Sequence, residues 1–248
     1  MIHSQQCRNR MSGRFRAHCN FFLWNLLSCG SLARFPSAAC AMASSTAFHF
    51  NPSPMLRGVF VGSGSDGMNE PAIAQVVVDL AGDSSKKSPK KVVYLGTATY
   101  DLPGPCQRQT EQFVLLGCQV DSLDVATAPL SAEGEALLDT AEIIIVSGGN
   151  TLYAMDRWKL LGIDQKLRQA MDRGAVLTGG SAGAICWFDG GHSDSADPDT
   201  WKAAMLVTSM EGDESSEAPK SAEESKSWEY IRIQGLRILP GLVCPHRK

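Results

Sequence analysis

Short apolar runs that alternate with helix-length segments constrain this chain most. The runs lie at residues 58–62, 91–96, 118–123, 142–147 and 175–179. Most are continuous in apolar residues instead of alternating with polar ones, so those strands would be buried on both faces. The segments between them, at 71–80, 108–116, 131–139, 152–160 and 164–173, read as helices. Ser131 opens the third weakly, because Gly134 stands where a capping box has an acid. Strand–helix alternation of this kind predicts an α/β fold of three layers, α/β/α, around a mostly parallel sheet. In such sheets a site lies outside the carboxyl ends of the strands. Glycine-rich turns follow the first, fourth and fifth runs: Gly62-Ser63-Gly64-Ser65, Ser147-Gly148-Gly149-Asn150 and Gly179-Gly180-Ser181-Ala182-Gly183.

The domain is expected over residues 56–248, with 211–226 as an acidic, Ser-rich surface loop without apolar periodicity. The first 65 residues contain no Asp or Glu but carry Arg8, Arg10, Arg14, Arg16, Arg34 and Arg57. That composition is expected of an organelle transit peptide, chloroplast or mitochondrial, so residues 1–55 are set outside the fold as a disordered leader. Two alternatives stay open. Residues 21–27 could be the apolar centre of a secretory signal, or translation could begin at Met42 or Met55, leaving a cytoplasmic protein. A net charge of −3 gives no sign of a nucleic-acid partner, and no run approaches the ~18 apolar residues that a membrane helix needs. The eight cysteines match no zinc spacing and read as scattered, reduced, mostly buried thiols.

Gly179-Gly180-Ser181-Ala182-Gly183 fits Gly-x-Ser-x-Gly directly after a buried strand. A strand-to-helix reversal this sharp lifts the serine hydroxyl out at the sheet edge, and the flanking glycines give the backbone room. The amide of Ala182 then faces the same spot, and the Gly148-Gly149 turn can bring a second N–H to it. The bland alternative is a glycine turn that binds a phosphate or nothing. A serine nucleophile needs a base. With His3, His18 and His49 in the leader, His192 and His246 remain. His192 sits in a polar loop beyond the elbow, whereas His246 follows an apolar run that reads as a strand ending at the same edge, the better position. Asp189, Asp194, Asp197 and Asp199 follow the elbow as candidate acids.

Taken in order, Gly148-Gly149-Asn150-Thr151, Thr178 through Ala184, Cys186-Trp187-Phe188, Gly191 through Ser195, and Trp228 through His246 resemble the dipeptidase E and cyanophycinase family of serine peptidases. That resemblance covers about residues 56–246 and implies a fold like that of class I glutamine amidotransferases. It implies hydrolysis of aspartyl dipeptides or short aspartyl peptides, with Ser181 as nucleophile, His246 as base, Asp194 ahead of Asp197 as acid, and Gly149 and Ala182 as the oxyanion hole. It implies no metal or organic cofactor and a short peptide as partner, and leaves a homodimer open. A cyanophycinase-like cut at β-aspartyl-arginine links is a variant. Two departures stand out. The acidic insert is longer than the family's, and family members continue past the histidine, where this sequence has Arg247-Lys248 in place of a usual Tyr. The expectation is a C-terminally truncated domain, and the rival reading is an inactive α/β module with a binding or regulatory role. A glutaminase-like reading would want Cys where Ser181 stands.

Overall fold

The computed structural model describes residues 22–23, 56–82, 88–203 and 228–246. The acidic segment 211–226 and, apart from residues 22–23, the leader lie outside the described residues.

Strands β2 (Arg57–Val61), β3 (Lys91–Leu95), β4 (Gln119–Ser122), β5 (Ile143–Val146) and β6 (Val176–Gly180) form the sheet the sequence pattern predicts. All of them run parallel, and their order is β2-β6-β5-β3-β4. A two-residue strand, β1 (Phe22–Leu23), pairs antiparallel with β2 at the edge, so the sheet takes one short piece from the segment read as leader.

Both faces of the sheet are covered, because successive side chains on a strand point to opposite faces. On β5, Ile144 and Val146 enter one core and Ile143 and Ile145 the other. The first core packs against α4 (Ala132–Thr140), α5 (Thr151–Leu161) and α6 (Ile163–Asp172), through Leu138, Trp158 and Leu167. The second packs against α1 (Ser65–Met68), α2 (Pro71–Leu80) and α3 (Pro103–Leu115), through Met68, Val77 and Phe113. This is the three-layer arrangement.

Helix starts follow local chemistry. α2 and α3 open on proline, whose missing N–H costs nothing in the first turn. α3 therefore begins at Pro103, five residues before the apolar pattern suggests. Ser131 does cap α4, accepting from the N–H of Gly134 at 3.1 Å without an acidic partner.

A second, three-stranded sheet, β8-β7-β9, joins β7 (Phe188–Ser193), β8 (Ile231–Gln234) and β9 (Leu239–Val243). It packs on the main domain through Phe188, whose ring meets Phe60 edge-on at 5.5 Å. The polar loop expected around His192 is thus a strand, with His192 paired to Arg232. Paired glycines among polar residues suggest a loop, but these two do not form one. They serve close strand approach, since a Cβ on Gly190 would lie 2.2 Å from the carbonyl of Ile233. Among the described residues Cys106, Cys118, Cys186 and Cys244 are free thiols; only Cys186 is fully buried, and Cys244 is exposed. No described helix is long and apolar enough to cross a membrane.

The loop after β3 carries Asp101 at φ 59°, with one carboxylate oxygen accepting from Ala126 N–H and the other buried without a partner. Burial pushes this carboxyl up to about 6, against the pull of the Ala126 N–H, and the Asp124 carboxylate raises it further. A raised carboxyl binds its proton more tightly folded than unfolded, so its stabilising effect is present below about pH 4 and is lost as pH rises through about 6. Asn keeps the acceptor and tolerates positive φ. Asp101→Asn is therefore expected to raise the urea midpoint at pH 7.5 and to leave it unchanged at pH 4; an equal shift at both values would refute the assignment.

Candidate active site

β2, β5 and β6 are neighbours in the sheet, so the glycine-rich turns that end them meet at one edge. β6 runs out at Gly180, and α7 (Ala182–Ile185) starts one residue later. Between them Ser181 is held at φ 54°, ψ −115°, a strained state for an L residue. Its N–H donates to the carbonyl of Val61, at the end of β2, at 3.0 Å. α7 lies so close to the end of β5 that a Cβ on Gly183 would sit 2.1 Å from the Val146 carbonyl. That contact is the mechanical reason for the last glycine of the motif.

His246 meets this serine. Its Nε2 lies 2.7 Å from Ser181 Oγ. For the serine O–H to donate, Nε2 must be the unprotonated nitrogen and Nδ1 must carry the proton. β9 delivers the histidine, and β9 belongs to the small sheet and not to the main one. The residue nevertheless docks on the main domain, its N–H donating to the carbonyl of Gly62 at 3.3 Å. His192 is exposed and, among the described residues, does not line the cleft around Ser181.

The four candidate acids separate by what they touch. Asp189 accepts from Gly241 N–H at 2.9 Å and ties β7 to β9. Asp197 accepts from Asp199 N–H at 3.0 Å and caps a short 3₁₀ turn, Pro198–Thr200. Asp199 is exposed on the cleft rim. Asp194 lines the cleft with Ser181 and His246. Burial raises its carboxyl, the charge of His246 opposes that, and Asp197 adds to it. Asp194 meets His246 through charge; no hydrogen bond joins them among the described residues. Its backbone is well held: Ser193 Oγ donates to Thr151 Oγ1 at 3.1 Å, and Ser195 Oγ accepts from Leu152 N–H at 3.2 Å. Asn150 adds a third tie. Its amide donates to the Ser195 carbonyl and to Thr200 Oγ1, both at 3.1 Å, while its carbonyl caps α5 at Tyr153 N–H.

Two amides near the serine have no hydrogen-bond acceptor among the described residues. Ala182 N–H is the first of α7 and has no intrahelical acceptor. Gly149 N–H has none either among the described residues, although Ser147 N–H and Asn150 N–H on either side of it donate to Leu95 and Ala98 carbonyls. Gly149 must be glycine: its φ is 114°, and a Cβ there would lie 2.4 Å from the Ala98 carbonyl. A hydroxyl paired with an imidazole beside two unspent amides can attack a carbonyl and hold the oxyanion that results.

The surrounding cleft has a volume of about 390 Å³. Arg108, Gln109 and Asp66 also line it, and sequence reading singled out none of them. The one available signal was Gln109, a polar residue on the buried stripe of α3 with Pro105 and Phe113. Among the described residues no group of three His, Cys, Asp or Glu side chains is placed to hold a metal.

Comparison with known proteins gives the family. A Bacillus subtilis protein named as the uncharacterized peptidase YgaJ is 37% identical over 116 residues, covering 47% of this chain and 50% of its own. A Trypanosoma brucei brucei protein that bears the name G2/mitotic-specific cyclin-1 is 32% identical over 208 residues, covering 77% of this chain and 60% of its own. The chain thus spans between half and three fifths of the length of these relatives. A solved Listeria monocytogenes structure, of a candidate peptidase E, aligns over 74% of this chain and 75% of its own, at 19% identity and a TM-score of 0.47. The sequence profile of peptidase family S51 matches residues 59–248, and the chain belongs to that family.

Proposed function

We propose that this domain is a serine-type exopeptidase that cleaves aspartyl dipeptides or similarly short aspartyl peptides. The observation that carries the reading is the 2.7 Å contact between Ser181 Oγ and His246 Nε2 beside two unspent amides. An inert module would have no use for a strained serine aimed at an imidazole.

The chemistry follows from those positions. His246 Nε2 takes the hydroxyl proton as Ser181 Oγ attacks the scissile carbonyl carbon. The carbonyl oxygen becomes an oxyanion held by Gly149 and Ala182 N–H. His246 then gives its proton to the leaving amine, the C–N bond breaks, and an acyl-Ser181 ester remains. Water, deprotonated by the same histidine, cleaves the ester and restores the serine. Asp194 stabilises the imidazolium through its negative charge.

Several features support a small acidic substrate. The cleft, at about 390 Å³, is at the small end of ligand sites. The Arg108 guanidinium lines it without an ion pair among the described residues and suits a substrate carboxylate. Asp66 and Asp199 line the same cleft and suit a free α-ammonium group. β-Asp-Arg links present the same groups, with an added guanidinium.

Purified chain should hydrolyse Asp-Leu or β-Asp-Arg, and Ser181→Ala should lose at least about a thousandfold in kcat. Equal turnover by the serine variant would remove Ser181 from the mechanism. Gly149→Ala should cost about a hundredfold in kcat with little change in KM; a change confined to KM would place Gly149 in binding only. Arg108→Met should raise KM for Asp-Leu about tenfold more than for Ala-Leu, and an equal rise for both would exclude a contact with the aspartyl side-chain carboxylate.

A further inference from the structure

The turn that supplies the Gly149 amide is tied down at three of four consecutive N–H groups, all but that of Gly149. Ser147 N–H donates to the Leu95 carbonyl at 3.0 Å and Asn150 N–H to the Ala98 carbonyl at 2.8 Å, both backbone to backbone. Gly148 N–H donates to a side chain, the Oε1 of Gln109, at 3.3 Å. Backbone presses on the turn from elsewhere, since a Cβ on Gly64 would lie 3.1 Å from the Gly148 Cα. Gln109 is thus the only side chain among the described residues that bonds the peptide next to the Gly149 donor.

Its placement is unusual. On α3 the buried positions Pro105, Gln109 and Phe113 recur at every fourth residue, the spacing of a core-facing stripe. An apolar residue would be expected in the middle, yet Gln109 stands there and is only 2% exposed. Burying an amide is unfavourable unless it is bonded. One half is bonded, to Gly148. That bond also fixes which way the amide faces: an N–H opposite the Gly148 N–H would put two donors together, so Oε1 points at the turn. The Nε2 group is then left without a protein acceptor among the described residues. Gln109 lines the cleft, so its two N–H donors are available to a bound oxygen.

We propose that Gln109 has two roles. It is a positioning residue that sets the oxyanion turn through Gly148, and it is a specificity-determining contact that offers Nε2 to a carbonyl or carboxylate oxygen of the bound peptide. The second role rests on the peptidase reading above; the first does not. A helix with no motif of its own thereby tunes the position of the Gly149 amide in the cleft that Ser181 lines.

Two variants of the full chain separate the roles. Gln109→Met keeps length and loses both acceptor and donor. Gln109→Glu keeps an acceptor for Gly148 and replaces the outward donor. Hydrogen exchange of the Gly148 amide by NMR reads the first role without any need for activity. Exchange should speed up at least tenfold in Gln109→Met, at unchanged exchange in the β5 and β6 core amides, and stay within twofold of wild type in Gln109→Glu. For Asp-Leu hydrolysis, Gln109→Met should lower kcat ten- to a hundredfold, and Gln109→Glu should raise KM at least tenfold. Unchanged Gly148 exchange in Gln109→Met overturns the positioning role even if no peptide is ever cleaved. Wild-type KM in Gln109→Glu overturns the substrate contact. If Gln109→Met does not fold, accelerated Gly148 exchange in the folded Gln109→Glu protein overturns the positioning role by itself. If wild-type chain cleaves neither Asp-Leu nor β-Asp-Arg, the peptidase reading fails with the substrate-contact role, while the exchange result still decides the turn.

Discussion

Ser181 is held in a backbone state that costs an L residue on the order of 1–3 kcal/mol, and that state persists only because its surroundings leave no alternative. Its N–H is spent on the Val61 carbonyl. The peptide before it abuts the turn after β2, where a Cβ on Gly180 would lie 2.0 Å from the Ser63 carbonyl. The helix after it presses on the end of β5 at Val146. Three parallel strands therefore converge on one residue, and the order β2-β6-β5 is what lets them. Moving β6 away from either neighbour would remove a wall and let the serine relax.

The same order explains why the site is assembled from such distant parts of the chain. Parallel strands end at one edge, so turns more than eighty residues apart in sequence become contiguous there. Onto that edge the small sheet brings two further pieces. β7 leads to Asp194, which buried serines on both sides pin to the start of α5. β9 leads to His246, which is fastened to the Gly62 carbonyl. Asn150 links the two halves, since one amide caps α5, holds the Ser195 carbonyl and follows directly on Gly149. The Gly148–Gly149 turn and the Ser193–Ser195 segment are thus parts of one hydrogen-bonded unit.

Much of this could be read from the residues, for physical reasons. Continuous runs such as Ile143–Val146 leave no polar face, so a doubly covered parallel strand is the natural home for them. The elbow at Ser181 was legible because its glycines answer a local crowding problem. His246 could be preferred over His192 because an apolar run leads into it, although the sheet that run joins was not foreseen. The losses have a common cause, in that the deciding contacts are non-local. Gly190 and Gly191 read as part of a polar loop because nothing in the sequence announces the neighbouring strands that need them small. α3 was read short because its first turn is capped by proline and not by an apolar pattern. Gln109 drew no attention because its partner, Gly148, is on another element, and a lone glutamine in a helix carries no motif.

The chain belongs to peptidase family S51, and the Ser181–His246 contact underlies the central proposal, that this histidine makes this serine nucleophilic. A fluorophosphonate tests that without a guess about the substrate, because an activated serine oxygen attacks its phosphorus, expels fluoride and leaves a stable phosphonate ester. Labelled chain would be digested and mapped by mass spectrometry, beside His246→Ala. The account predicts one adduct on Ser181 in wild type, with labelling slowed at least a hundredfold in the histidine variant. Labelling of Ser181 at the same rate without His246, or no adduct on Ser181 in a folded chain, would contradict it.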